Sequence, residues 1–330
     1  MLKKYQSWSN PAWAGPLPVA MIGPVTRADT TTASLHDRQE PPMPVAAPAK
    51  PAATKASAPF APAHIRAELD RPFLLPAQAA EQYRREGFIK LKEVFSRELL
   101  DFYSAPIAAD VARHTVNQTP IEQRSTYGKA FQQVMNLWTR DPGSKEFVFG
   151  KRLAGIATAL MGTRGVRIYH DQALFKEPGG GFTPWHADQQ YWPLSTHHSV
   201  TAWVPFQAVP QVMGPLEFSV GSHRIDCPGR DMEISDESER IIGKTLKELP
   251  KVDSPFDLGE VSFHAGWTFH RAGPNTTDTL RKVMTIIYID SDMIVGTPKN
   301  KSQAGDLGGW FPGLKPGDLA ASPINPQLYP

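Results

Sequence analysis

His186 and Asp188 stand two residues apart in the run FTPWHADQQYWPL, residues 182–194. An imidazole and a carboxylate both ligate metals, and their spacing decides whether they can share one ion. On a helix, residues i and i+2 diverge. On a strand they face the same side, about 6.5 Å apart at the usual rise. A small bend at a strand end then lets both reach one ion, with Ala187 turned away. A second imidazole would complete a two-histidine, one-carboxylate facial set. That set leaves positions open and suits a non-haem ferrous ion that must bind oxygen and a further small ligand.

The third ligand has to come from a distant segment. GEVSFHAGWTFHRAGPNTTDTLRKVMTIIYI, residues 259–289, offers His264 and His270. His270 is favoured because a turn cluster, Asn275 to Asp278, follows it and Arg281 then opens a strongly apolar strand. An arginine on the inward face of a buried strand, beside Val283, Thr285 and Ile287, is costly unless a carboxylate meets it. If VSFHAGWTFH and RKVMTIIYI fold into neighbouring strands, His270 and Arg281 project into one cavity. A small keto diacid would span them, chelating the metal at one end and pairing bidentately with the guanidinium at the other. His264 reads as a structural histidine at a strand end and is the rival third ligand. His223 in GSH either caps a turn or faces the substrate. His197 and His198 read as solvated, and His170 has no assigned role.

HxD, a distal histidine and an arginine eleven residues later resemble the phytanoyl-CoA dioxygenase family of Fe(II)- and 2-oxoglutarate-dependent oxygenases. EQYRREGFIKL, GPLEFSVGSH, GEVSFHAGWTFHRAGPNTT and WFPGLKPGD are also family-like, so the resemblance runs from about residue 74 to the end. It implies a mainly β fold, a double-stranded β-helix (jelly roll, cupin-like) core with flanking N-terminal helices. It implies His186, Asp188 and His270 as iron ligands and Arg281 as anchor for the distal carboxylate of 2-oxoglutarate, with O2 as second cosubstrate. Trp192 matches an aromatic that packs by the cosubstrate in some relatives, although plain core packing is the competing reading. Gln172 and Lys176, on one face of the preceding strand by parity, are candidates to reach cosubstrate or substrate. Gln133 and Asn136 in FQQVMNLW are further candidates, and Trp203 either lines the barrel or fills the core. One departure is Ala272, where many relatives carry a hydroxyl residue. A carboxylate at 188, where related halogenases have Ala or Gly, points to hydroxylation.

The elements that must position these residues are legible in outline. Gln78, Ala79 and Tyr83 fall at helical spacing, and Gly87 stops the helix. FIKLKEVF alternates as a strand. Ser96 is a helix N-cap before RELLDFYSAPIAADVARHTV. KEFVFGKRLAGIATALMG predicts one further helix, ended by Gly162. After residue 164 come short β-rich runs, GVRIYHDQALF, SVTAWVPFQAV, PLEFSV, GEVSFH and RKVMTIIYI, separated by turn residues; they predict an antiparallel sandwich or barrel. The charged stretch 224–255 interrupts them and predicts a surface insertion or lid. Eleven of the 32 prolines lie before residue 66, so residues 1–65 predict a disordered tail and residues 66–330 one domain.

The formal net charge of +2 gives no reason to expect nucleic acid or an anionic membrane as partner. No run of about 18 apolar residues predicts a membrane span. Prolines 11, 16 and 18 interrupt the apolar N-terminal stretch, making it a poor secretory signal. The single cysteine, Cys227, excludes an internal disulfide and a cysteine-built metal site, and fits a cytoplasmic location. The expected activity is hydroxylation of an unactivated C–H bond in a small-molecule substrate, with release of succinate and CO2. Rival readings are a cupin-type oxygenase without 2-oxoglutarate, opposed by Arg281, and a silent metabolite-binding barrel, opposed by the intact triad.

Overall fold

The computed structural model describes residues 61–115 and 119–330. The tail expected over 1–65 lies outside the described residues up to residue 60. Its boundary moves, because α1 (Ala63–Asp70) already begins at residue 63 with Ala61 and Ile65 buried. Helices α2 (Ala79–Glu86), α3 (Arg97–His114), α4 (Thr126–Ala130), α5 (Pro142–Val148) and α6 (Lys151–Met161) follow, with β1 (Phe88–Leu91) and β2 (Gln132–Met135) among them. Then come β3 (Val166–Phe175), β4 (Thr183–His186), β5 (Ser199–Pro205) and β6 (Leu216–Ser219). After α7 (Asp236–Thr245) the chain forms β7 (Lys251–Asp253), β8 (Val261–Ala265), β9 (His270–Ala272) and β10 (Val283–Asp290). It closes with α8 (Lys301–Trp310) and β11 (Gln327–Tyr329).

Local chemistry sets the ends. Ser96 Oγ accepts from the Leu99 amide at 3.2 Å and starts α3. Gly87, at φ 87°, closes α2, and a Cβ there would collide with His223 Nδ1 and Thr268 Oγ1. The helix expected across KEFVFGKRLAGIATALMG is two helices, because Gly150 leaves the helical region at ψ 129°. A Cβ at 150 would press on Leu69 at 3.1 Å, so the break is where α1 packs. The strand FIKLKEVF stops at Leu91; Glu93 turns at φ 56° and sends Val94 and Phe95 into the helix-side core.

Two antiparallel sheets form the jelly roll. The larger runs β1-β8-β5-β10-β3-β11, with β2 also on β3; the smaller runs β4-β9-β6-β7. Among the described strands none belongs to both sheets. VMTIIYI has no polar face because both faces of β10 are covered. Met284, Ile286 and Tyr288 join residues of α3, α5 and α6 in the main core, while on the other face Thr285 lines the cavity and Ile287 and Ile289 pack with Trp192, Met293 and Phe311. The segment 224–255 is not merely a surface excursion. It supplies β7 to the small sheet and α7, whose Ile242 and Leu246 pack on Trp185 and Phe269.

VSFHAGWTFH and RKVMTIIYI are not two neighbouring strands. β8 ends at Ala265, a turn follows, and β9 starts at His270 in the other sheet. The partners of β10 are β3 and β5. His270 and Arg281 therefore reach one cavity from opposite sheets, not from adjacent strands.

Candidate metal and cosubstrate site

Between the sheets lies a cavity of about 250 Å³, and His186, Asp188, His270 and Arg281 all line it. His186 ends β4 and pairs in register with His270 on β9, so the two rings sit 4.2 Å apart. The strand stops at His186, and Asp188 opens a 3-10 turn, Asp188–Tyr191. That turn is the bend that swings the carboxylate back. Ligand atoms of His186, Asp188 and His270 lie within 4.8 Å of one another.

The surroundings prepare these groups for a cation. His186 Nδ1 donates to the Pro184 carbonyl at 2.7 Å, and His270 Nδ1 donates to that of Thr268 at 3.0 Å. Each ring is thereby locked in the tautomer that leaves the Nε2 lone pair facing Asp188. The Nε2 atoms lie 3.6 and 3.7 Å from Asp188 Oδ1, too far to be tied up in hydrogen bonds. Burial, then the neighbouring His270, pushes His186 down to about 4; burial, then His264, pushes His270 down to about 4. Both imidazoles are neutral at pH 7, as ligands must be. Burial opposes charge on Asp188, but His270, the hydrogen bond from His264 and His186 hold it well below the usual carboxylate range. This set of two neutral nitrogens and one carboxylate oxygen fits a divalent ion.

His264 stands just behind the triad. Its Nε2 donates to Asp188 Oδ2 at 3.2 Å, and Thr201 Oγ1 donates to the same oxygen at 2.8 Å. Together they leave Oδ1 to the histidines. Thr201 escaped the sequence reading, although it shares a face with Trp203 by parity. Glu239 on α7 was missed too, with no signal in the sequence to find it. It accepts from the Trp185 amide at 2.8 Å and from Arg271 at 2.7 Å. One carboxylate thus braces the residues next to both histidines, and the expected insertion is a clamp on β4 and β9.

Arg281 precedes β10, is 1% exposed, and has no carboxylate partner among the described residues. One guanidinium nitrogen donates to the Gly214 carbonyl, Nε has no partner, and the group lies 5.5 Å from the Trp203 ring. Burial pushes it down to about 9. Lys176 is opposite Arg281 in an isolated bridge but does not line the cavity. Its ammonium turns to the Gly181 carbonyl and to Thr183 Oγ1 at 3.5 Å. Burial, then Arg281, holds Lys176 well below its ordinary value. Thr183, which does line the cavity, pairs with Ala272 across the strands. A hydroxyl missing at 272 is therefore present on the neighbouring strand.

The remaining candidates separate. Gln172 and Gln133 line the cavity, with Gln133 donating to Gln172 and accepting from the Tyr127 hydroxyl at 2.7 Å. Asn136 is outside it, at φ 49° in a turn whose Leu137 amide Asp171 caps at 2.9 Å. Trp203 and Trp192 both line the cavity. Trp203 is the ring beside Arg281, whereas Trp192 packs on Tyr169 at 5.4 Å and faces His170 at 6.5 Å. His223 bonds the Arg84 carbonyl at 3.2 Å, away from the cavity, and His197 and His198 are exposed.

The family model for phytanoyl-CoA dioxygenase (PhyH) matches residues 63–283. A methylphosphonate hydroxylase of Gimesia maris is 24% identical over 219 residues, covering 63% of this chain and 78% of that protein. A probable alpha-ketoglutarate-dependent hypophosphite dioxygenase of Stutzerimonas stutzeri is 21% identical over 231 residues, covering 66% of this chain and 79% of that protein. Among solved structures, the non-heme alpha-ketoglutarate-dependent carbocyclase SnoK from nogalamycin biosynthesis superposes with a TM-score of 0.65 at 24% identity. The superposition covers 77% of this chain and 96% of that one.

Proposed function

The chain belongs to the phytanoyl-CoA dioxygenase family of Fe(II)- and 2-oxoglutarate-dependent oxygenases, and we propose that His186, Asp188 and His270 hold its iron and Arg281 its 2-oxoglutarate. The observation that carries this reading is a buried guanidinium with no carboxylate partner, in the same cavity as the triad. Such a charge calls for an anion, and the distal carboxylate of 2-oxoglutarate supplies one. Thr183 offers that carboxylate a hydroxyl, and the Trp203 ring covers the pair from one side.

Ferrous iron with 2-oxoglutarate and O2 supplies the oxidising power, giving succinate, CO2 and a hydroxylated substrate. The chain's own work is positional. The Pro184 and Thr268 carbonyls fix the two imidazoles, and Thr201 and His264 fix the carboxylate. Glu239 keeps β4 and β9 in register from outside the cavity. Ile234, from the 224–255 segment, lines the cavity, and its amide is held by the Tyr191 hydroxyl at 2.9 Å. That segment serves as a lid that limits water at the site. No described helix is long and apolar enough to cross a membrane.

The substrates in the two curated relatives' names contain phosphorus and do not transfer readily. Arg281 is the one arginine lining the cavity among the described residues, no lysine does so, and Arg281 is committed to the cosubstrate. The test is a screen of small molecules with Fe(II) and 2-oxoglutarate, reading substrate-stimulated succinate and a mass gain of one oxygen. Absence of ferrous binding in anaerobic titration would overturn the reading.

A further inference from the structure

We propose that His170, Asp306 and Trp310 form the substrate-recognition wall of this cavity, and that it takes a neutral or cationic small molecule with a flat apolar body and a hydroxyl or amino donor. This rests on the family reading above and adds the class of substrate.

The wall is built by a β-bulge. On β10, Tyr288 pairs with Ile168 and Ile287 with His170, so Tyr169 is an extra residue in β3. A bulge places consecutive side chains on one side of a strand. His170 accordingly lines the cavity, and Tyr169 packs beside it on Trp192 and Phe311. The Tyr169 hydroxyl donates to Asp306 Oδ2 at 2.7 Å, which aims the α8 carboxyl at the same space. Trp310, one helical turn further on, sets its ring 5.2 Å from that of His170.

Two polar groups here are incompletely satisfied, one ring nitrogen of His170 and the charge of Asp306. His170 is 4% exposed, and its Nδ1 has no hydrogen bond. Burial keeps the ring neutral, pushing it down to about 3. Asp306 forms no ion pair among the described residues. Burial pushes it up to about 7, against hydrogen bonds from Tyr169 and Trp310. It is the mirror image of Arg281, an acidic group in a cavity with no cation to meet it. A ligand hydroxyl or ammonium would satisfy the carboxylate, and an anionic group would be repelled.

Geometry keeps the two charges apart. Arg281 lies six residues before Ile287, the partner of His170, so the guanidinium and the His170 ring enter the cavity at different heights along the sheet. Thr201, which holds Asp188, also pairs with Ile287, so the triad lies level with His170. The cosubstrate therefore approaches the metal from the arginine side, and the His170–Asp306 wall is left for the substrate. Aromatic faces of Trp192, Trp310 and Tyr191 complete that side and suit a planar body. α8, which carries Asp306 and Trp310, lies beyond residues 63–283, the span matched by the family model, whereas His170 lies within it.

The test is equilibrium binding to the full chain loaded with Ni(II) and 2-oxoglutarate, which does not turn over, at pH 8. The probes are tyramine, tyrosol and 4-hydroxyphenylacetate, which share a ring and differ in charge. Calorimetry is expected to show tyramine and tyrosol binding at least tenfold more tightly than the acid. Asp306→Asn keeps an acceptor for the Tyr169 hydroxyl and is expected to narrow the tyramine-to-acid ratio at least tenfold. Trp310→Ala is expected to weaken all three. Equal or tighter binding of the acid, no binding of any probe, or an unchanged ratio in the Asn variant would overturn the proposal. The wild-type ratio needs no variant to fold. Failure of the wild type to bind Ni(II) or 2-oxoglutarate would instead strike the family reading, so the two failures are distinct.

Discussion

Replacing Arg281 with Met separates an anchor from a structural arginine. The side chain is 1% exposed, bonded to the Gly214 carbonyl, and has no carboxylate partner among the described residues. If it receives 2-oxoglutarate bidentately, the variant loses two charge-assisted hydrogen bonds, worth about 1.5–3 kcal/mol each. The total of about 3–6 kcal/mol corresponds to a rise in 2-oxoglutarate requirement of roughly 10²–10⁴-fold, at about 1.4 kcal/mol per tenfold. Stability moves differently. Met leaves the Gly214 carbonyl unpaired, costing about 1–3 kcal/mol, but relieves a desolvation penalty of about several kcal/mol for the unpaired cation. The protein without cosubstrate is therefore expected to melt at the wild-type temperature or above it. The assays are succinate formation against 2-oxoglutarate concentration, and thermal melting without ligands. A 2-oxoglutarate KM within threefold of wild type, together with a melting temperature lower by more than about 5 °C, would show that the arginine only holds the fold.

His264→Ala is expected to lower metal affinity about 10–100-fold without abolishing the site, since His264 orients Asp188 and does not join the triad; complete loss of binding by calorimetry would make it a ligand. His186 and His270 are pushed from 6.5 down to about 4, so the unfolded chain binds more protons between those values. Their contribution to stability is thus full above about pH 6.5 and lost as pH falls toward 4. Co(II) affinity, followed by absorbance, is expected to stay level from pH 8 to 6 after correction for the metal's own hydrolysis; a fall centred on 6.5 would contradict the shift. Gly214→Ala introduces a Cβ at φ 71° against the Gly273 carbonyl. It is expected to destabilise the chain by at least about 1–2 kcal/mol and to raise the 2-oxoglutarate KM, because the 214 carbonyl holds Arg281; an unchanged KM would uncouple the two.

Much of the site was legible because its signals are local. His186 and Asp188 need only a strand end and a bend, and both are present. The turn before Arg281 and the apolar run after it mark a buried cation from composition alone. The β-rich second half, with turn residues every few positions, marked an antiparallel sandwich or barrel, and the family resemblance narrowed it to the jelly roll. Gly87 and Ser96 end and start helices by short-range geometry, which is why those boundaries appear where expected.

Other features depend on which segments meet. Sequence spacing could not show that VSFHAGWTFH divides between two sheets, because the turn after Ala265 is stabilised by distant partners: Gly266 donates to Ser199, and Gln189 donates to Gly266. The break at Gly150 answers to Leu69 in α1, about eighty residues away. Lys176 has the right parity for the cavity, yet its ammonium finds a carbonyl and a hydroxyl closer at hand.

The amino-acid order alone determined the candidate ligand types, the helix caps, and the need of one buried arginine for an anion, because these follow from side-chain chemistry and backbone period. Only the tertiary structure decided that Thr201 and His264 share one oxygen of Asp188, that Glu239 braces β4 and β9, and that Asp306 faces the cavity with no cation among the described residues. Those relations arise when chain segments far apart in sequence exclude water together, and no local pattern of residues encodes them.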